Sequence, residues 1–139
     1  MNHWCFPILE WEVYDGDTIR AGDIDLGFHL HLQGYLIRVA GVDTPEKYTT
    51  VGDLVTRVVE MWTSKADTLS VQSLGLDKYG KRFIGKVFRD SNFEDNLGGF
   101  LILNHLAQPY DGKGKTAWTE HGLEMAEDRA RSLIEDNPT

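Results

Sequence analysis

The sequence predicts an α+β fold, a small closed β-barrel carrying about three helices. Three observations lead there. The first forty residues are rich in β-branched and aromatic residues. One helical stretch then separates them from two further strand-like runs. The chain finally turns to helical periodicity in its last third.

Residues 3 to 42 read as strands. In "DTIRAGDIDLGFHLHLQGYLIRVAGV", Phe28, Leu30 and Leu32 alternate with His29 and His31, which predicts a half-buried strand. Gln33-Gly34 ahead of Tyr35 predicts a turn, and hence a β-meander. After Pro45, "GDLVTRVVEMWTSKA" places Leu54, Val55, Val58, Val59 and Trp62 at helical spacing. "DTLSVQSLG", the turn "DKYG" and "RFIGKVF" predict a hairpin. "EDNLGGFLILNHLA" reads as a helix weakened by Gly98 and Gly99, at roughly 1 kcal/mol each relative to alanine. "PYDGKGKTA" reads as a flexible loop. The last helix, about 119–135, has Thr119 as its N-cap and Leu123, Ala126, Ala130 and Leu133 on one face. Three strands, a helix, two strands and two helices fit a five-stranded barrel of OB type.

A chain of 139 residues suits a single domain, 1–139, with a core of its own. Its 41% hydrophobic and 26% charged residues are ordinary for a globular protein. Cys5 stands alone, which excludes an internal disulfide and a cysteine-based zinc cage. The N-terminus has no signal-peptide pattern and no run is apolar enough to span a membrane, so a cytoplasmic location is expected. No heptad seam suggests an oligomer, so a monomer is expected. The formal charge of -8 disfavours non-specific nucleic-acid binding by the whole body. The basic residues are concentrated, however: five of the fourteen lie between Lys78 and Arg89. The segment Glu120 to Asp136 holds six acids against Arg129 and Arg131. A basic patch on an acidic body is compatible with both counts.

Four clusters carry possible chemistry: Asp15, Asp17 and Thr18; Arg38, Asp43, Thr44 and Glu46; Lys78, Tyr79, Lys81 and Arg82; and Tyr110 with the lysines after it. Singly, each has a bland reading. Asp-Gly-Asp is more often a turn than a metal site. "VDTPE" resembles a helix N-terminus, with proline in the first turn and glutamate favoured by the dipole. "DKYG" is an ordinary turn, and Tyr110 beside Pro109 could be packing. Arg38 is the exception, because a charge among Leu36, Ile37, Val39 and Ala40 needs a partner or an anionic ligand. Together the clusters supply hard oxygen donors suited to Ca²⁺, guanidinium groups suited to phosphate, and a carboxylate to orient water. Phosphodiester hydrolysis calls for those three parts.

Over roughly residues 8 to 132 the chain resembles the staphylococcal nuclease (thermonuclease) family. "VYDGDTIR", "LIRVAGVDTPE" and "DKYGKRFIGKVF" are similar to its motifs in order and spacing. "NLGGFLILNHLAQPYDGKGK" is similar to its asparagine-led helix and Tyr-Asp-Gly loop, and "DIDLGFHLHL" to the second strand of bacterial and phage members. The resemblance implies an OB-fold nuclease that uses Ca²⁺ to cut DNA or RNA on the 5′ side of the phosphodiester, leaving 3′-phosphate ends. A phage-encoded member would act in the host cytoplasm. It implies that Asp17, Asp43 and the Thr44 carbonyl hold Ca²⁺, that Glu46 positions the water, and that Arg38 clamps the phosphate. It implies that Tyr79 and Tyr110 line the nucleotide pocket and that Lys78 approaches a terminal phosphate.

The chain departs from the family in two places. The second arginine normally follows the turn glycine, but Gly80 is followed by Lys81 and then Arg82. One extra turn residue gives the role to Arg82, and this register aligns "RFIGKVF" with Gly85 on a small position. Without it the role falls to Lys81, a point charge that cannot reproduce a guanidinium fork. Gly98 replaces an asparagine and His105 a glycine, which bears on local stability. The alternative function is a non-catalytic OB module that binds nucleic acid or protein. Such degenerate members are expected to lose the acids and arginines that this chain keeps.

Overall fold

A computed structural model describes residues 4–76 and 81–137 of the chain. The elements run β1 (Cys5–Asp15), β2 (Thr18–Gly27), β3 (Leu30–Leu32), β4 (Tyr35–Val39), β5 (Val42–Asp43), α1 (Thr50–Ser64), β6 (Leu69–Leu76), β7 (Arg82–Phe88), α2 (Leu97–Leu103), β8 (Gln108–Pro109) and α3 (Glu120–Asp136). β1 pairs antiparallel with β2 and β6, β6 with β7, and β4 with β2, while β4 and β7 run parallel. The ring β1-β6-β7-β4-β2 therefore closes on itself, with β3 added beside β2. This is the α+β architecture of an OB-type barrel with three helices, and closure leaves few strand edges open. None of the helices among the described residues is long and apolar enough to cross a membrane.

Alternation along the strands fills the barrel. Ile19 pairs with Ile37 and Ile37 with Phe83, and all three are buried. Along β7, Phe83, Gly85 and Val87 are buried while Ile84 and Lys86 are exposed. α1 presents Val55, Val58, Val59 and Trp62 to the same core and packs against β1 and α3. α3 buries only Ala126 and Ala130, a shallow face that lets it lie close to α1.

Three local expectations need correction. Phe28 and His29 do not continue a half-buried strand. Both have positive φ, 55° and 64°, and they form the tight turn from β2 to β3, leaving Phe28 95% exposed. Apolar alternation cannot distinguish a turn residue from a strand residue at a hairpin tip. Pro45 and Glu46 do not open a helix, because the N-cap of α1 is Thr49, whose side chain accepts from the Gly52 N–H. The second helix is shorter than expected: Asn96 caps it by accepting from the Gly99 N–H at 2.7 Å, so Glu94 and Asp95 precede it.

α2 ends in a Schellman arrangement, with the Leu106 N–H donating to the Leu101 carbonyl at 2.9 Å and the His105 N–H to the Ile102 carbonyl at 3.1 Å. The closing residue is His105, exposed and at φ 60°. A side chain with a Cβ costs roughly 1 kcal/mol in that left-handed conformation. His105→Gly is expected to raise unfolding free energy by about 1 kcal/mol. Denaturant titration measures it, and an unchanged midpoint would contradict this account of the helix end.

Candidate functional site

The β1–β2 turn separates the two aspartates that the sequence sets side by side. Asp15 Oδ1 accepts the Asp17 N–H at 3.1 Å, a local turn bond. Asp17 faces away from that bond and is 8% exposed. Its Oδ1 accepts from the Thr18 hydroxyl at 3.2 Å, and its Oδ2 accepts from the Thr44 N–H at 3.1 Å. The same Oδ2 lies 3.2 Å from Arg38 Nη1. Gly16 permits this approach, since a Cβ there would stand 2.8 Å from Thr44 Oγ1 and 2.9 Å from Val55 Cγ1.

Arg38 is the penultimate residue of β4, between core residues Ile37 and Val39, so alternation turns it to the outer face of the barrel. It is nonetheless 8% exposed. The Tyr110 ring lies 5.4 Å from its guanidinium carbon, a cation–π arrangement. Nη1 has its ion pair with Asp17. Nη2 is buried and makes no hydrogen bond among the described residues.

Asp43 and Thr44 are both buried. Beyond buried Pro45, Glu46 is exposed, and its carbonyl accepts from the Thr49 hydroxyl at 2.6 Å. Gly52 makes room for that carbonyl, which would stand 1.8 Å from a Cβ on residue 52. On the other side, Lys47 Nζ donates to the Tyr14 carbonyl at 2.6 Å and lies over the Tyr14 ring. The segment bearing Glu46 is thus fixed at both ends.

A residue that the sequence reading missed ties this segment to the C-terminal third. β8 pairs Gln108 with Asp43. Gln108 Nε2 donates to Asp43 Oδ2 at 3.1 Å and to the Thr116 carbonyl at 2.5 Å. Lys115 Nζ stands 3.6 Å from Asp43 Oδ1. The loop after Tyr110 is therefore pinned to the acid. It closes a cleft of about 440 Å³ whose lining includes Asp43, Thr44, Glu46, Lys115 and Trp118. The only sequence signal for Gln108 is its place just before the Tyr-Asp-Gly loop.

The two candidates for the second cationic role diverge. Arg82 opens β7 opposite Leu36, on the same face as Arg38 and one alternate position along. Strand geometry sets their Cα atoms roughly 8 Å apart, within reach of a shared phosphate for two such long side chains. Lys81 lies outside the strand at φ 41°, exposed, with its carbonyl accepting from the Leu36 N–H. Lys78 and Tyr79 lie outside the described residues.

Among the described residues, no three acidic, histidine or cysteine side chains gather into a metal-binding group. The candidate donors for Ca²⁺ are two carboxylates, Asp17 and Asp43, with the Thr44 carbonyl. All are hard oxygen donors, which fits Ca²⁺ rather than zinc. Both Asp17 oxygens are already hydrogen-bonded or ion-paired, whereas Asp43 Oδ1 meets an exposed ammonium that a cation could displace. Three protein donors leave most of a Ca²⁺ shell to water and substrate oxygens.

No family model matches the chain, and no curated protein matches it.

Burial, followed by repulsion from the Asp17 carboxylate, pushes the Asp15 carboxyl up from 3.8 to about 6. A folded-state pKa above the unfolded one means that the folded protein holds the proton more tightly. The resulting stabilisation is complete below about 3.8 and is lost as pH rises through about 6. In calcium-free buffer, Asp15→Asn is expected to gain melting temperature relative to the parent as pH rises from 4 to 7. A difference that stays constant across that range would refute this assignment.

Proposed function

We propose that the chain is a calcium-dependent nuclease of the staphylococcal nuclease type. It hydrolyses phosphodiester bonds of DNA or RNA on the 5′ side and leaves 3′-phosphate ends. The observation that carries this reading is Arg38: a buried guanidinium with Nη1 paired to Asp17 and Nη2 without a hydrogen bond among the described residues. Structural arginines are rarely left so. An anionic oxygen is the natural acceptor for the spare N–H groups, and a bidentate phosphate matches the guanidinium fork.

In this reading Asp17 and Asp43, with the Thr44 carbonyl, hold Ca²⁺. When bound, the ion polarises a phosphoryl oxygen and offsets charge in the transition state. Arg38 and Arg82 bind the non-bridging oxygens and stabilise the extra negative charge as the phosphorus becomes five-coordinate. Glu46, on the rim of the cleft, orients a water and accepts its proton as the water oxygen bonds to phosphorus. The bond to the 5′ oxygen breaks, and that oxygen leaves with a proton from solvent as the 5′-hydroxyl. Tyr110 faces the nucleotide beside Arg38; the family resemblance gives Tyr79 a share in binding the nucleotide and Lys78 a terminal phosphate. The carboxylates must be ionised to hold the cation, so affinity falls in acid.

One observation favours the second reading, a non-catalytic binding module. Lys115 and Gln108 already meet both Asp43 oxygens, so that carboxylate has a counter-charge and a hydrogen bond without a metal ion.

Cleavage of single-stranded DNA is expected in millimolar Ca²⁺ and is expected to stop with chelator. Glu46→Gln should keep the parental melting temperature and lose about a hundredfold or more in kcat. Absence of any Ca²⁺-stimulated cleavage of DNA or RNA by the parent would leave the binding module in its place. Arg82→Ala is expected to lose activity far more steeply than Lys81→Ala in the same assay, and the reverse order would move the second cationic role to Lys81.

A further inference from the structure

A phosphodiester carries a nucleoside on each side, yet the aromatic residues considered so far serve only one of them. Tyr110 lines a pocket of about 340 Å³ with Gly41, Pro109 and Gly114, next to Arg38. Thr116 lines that pocket and also the cleft of about 440 Å³ that adjoins Asp43 and Glu46. The two hollows therefore meet at one residue, beside the site proposed for the phosphate.

The second hollow has the chemistry of a base-binding site. Pro45, Val51, Ala117 and Leu123 contribute apolar surface, and Trp118 contributes an indole. Its volume is within the range of ligand pockets, which are typically apolar with a few polar groups. Trp118 is partly exposed, and its indole N–H has no hydrogen-bond partner among the described residues. Trp62 in the core shares that feature, so what sets Trp118 apart is its partial exposure on the wall of the cleft. The wall is held in place at both ends. Gln108 grips the Thr116 carbonyl, and Thr119 immediately caps α3 by accepting from the Gly122 N–H at 2.9 Å. Lys115, 64% exposed at its side chain, gives the lining a cation for a flanking phosphate.

We propose that this cleft takes a nucleobase of the bound strand, stacked on Trp118, on the opposite side of the scissile phosphate from the Tyr110 pocket. The inference rests on the nuclease reading for the identity of the ligand. Stacking on an indole is sequence-tolerant, because every base offers a π face. The subsite would thus strengthen binding without selecting a base.

The test uses the full chain carrying Glu46→Gln, whose turnover is expected to be about a hundredfold or more slower, in Ca²⁺ with fluorescein-labelled pentathymidylate for anisotropy and the unlabelled oligomer for tryptophan emission. Binding is expected to quench emission, and adding Trp118→Phe is expected to abolish most of the quench while weakening binding less than threefold. Adding Trp118→Ala is expected to weaken binding about tenfold, within the usual range for loss of one base–aromatic stack. Thermal melts establish that each variant is folded; if Trp118→Ala is not, the Trp118→Phe quench decides. A quench that persists in Trp118→Phe, unchanged affinity in folded Trp118→Ala, or no oligonucleotide binding overturns the subsite. Cleavage by the parent is scored separately. Binding and quenching without cleavage sink the nuclease reading and leave the subsite standing, whereas cleavage with no effect at Trp118 does the opposite.

Discussion

The ion pair between Arg38 and Asp17 is the constraint around which the rest of this end of the barrel is arranged. Both side chains are nearly sequestered from water, and removing two charges from water costs several kcal/mol per ion unless each is surrounded by further polar partners. The fold supplies those partners from the neighbouring residue and from distant parts of the chain. The Thr18 hydroxyl and the Thr44 N–H serve Asp17, and the face of Tyr110 serves Arg38. Backbone follows side chain: the Val39 N–H donates to the Asp17 carbonyl at 2.8 Å, stitching the β1–β2 turn to β4. One donor of the guanidinium is nonetheless left over, and a native fold rarely buries such a group without use for it.

Position in the barrel explains why the acids and the cations coexist. β4 turns Ile37 and Val39 inward and Arg38 outward, and the parallel β7 brings Arg82 to the same outer face. The closed ring fixes their register, so neither depends on a loop. The acids are different, because Asp17 sits in a turn and Asp43 in a two-residue strand. Their positions depend on close backbone packing at Gly16 and Gly52 and on Gln108 across the β5–β8 pair. With a net charge of -8 on the chain, attraction for a polyanion has to be local. At physiological ionic strength the field of the remote acids is screened beyond roughly 8 Å.

Much of this was legible in the sequence, for identifiable reasons. Strand periodicity placed β7 to the residue, because both ends are marked by a turn and a change of pattern. Arg38 stood out because a charge among aliphatic residues has few innocent explanations. The choice of Asp17 rather than Asp15 as the expected calcium carboxylate came from the resemblance, since spacing alone treats the two alike. Phe28 and His29 misled because a hairpin tip can interrupt alternation without changing it. Gln108 was legible only as the residue before Pro109 and the Tyr-Asp-Gly loop, and Trp118 carried no sequence signal. The role of Gln108 comes from a pairing with a residue 65 positions away, and that of Trp118 from where a glycine-rich loop comes to rest.

The pairing of β5 with β8 also sets when the site can exist during synthesis. The five barrel strands are complete once β7 has been made, yet Asp43 has no Gln108 beside it until β8 emerges. Tyr110 reaches Arg38 only through the same short ladder, where its N–H donates to the Gly41 carbonyl at 3.0 Å. The strands that carry the arginines are therefore made before the residues that tether the acid. The acid is secured only after Gln108 and Lys115 have been made.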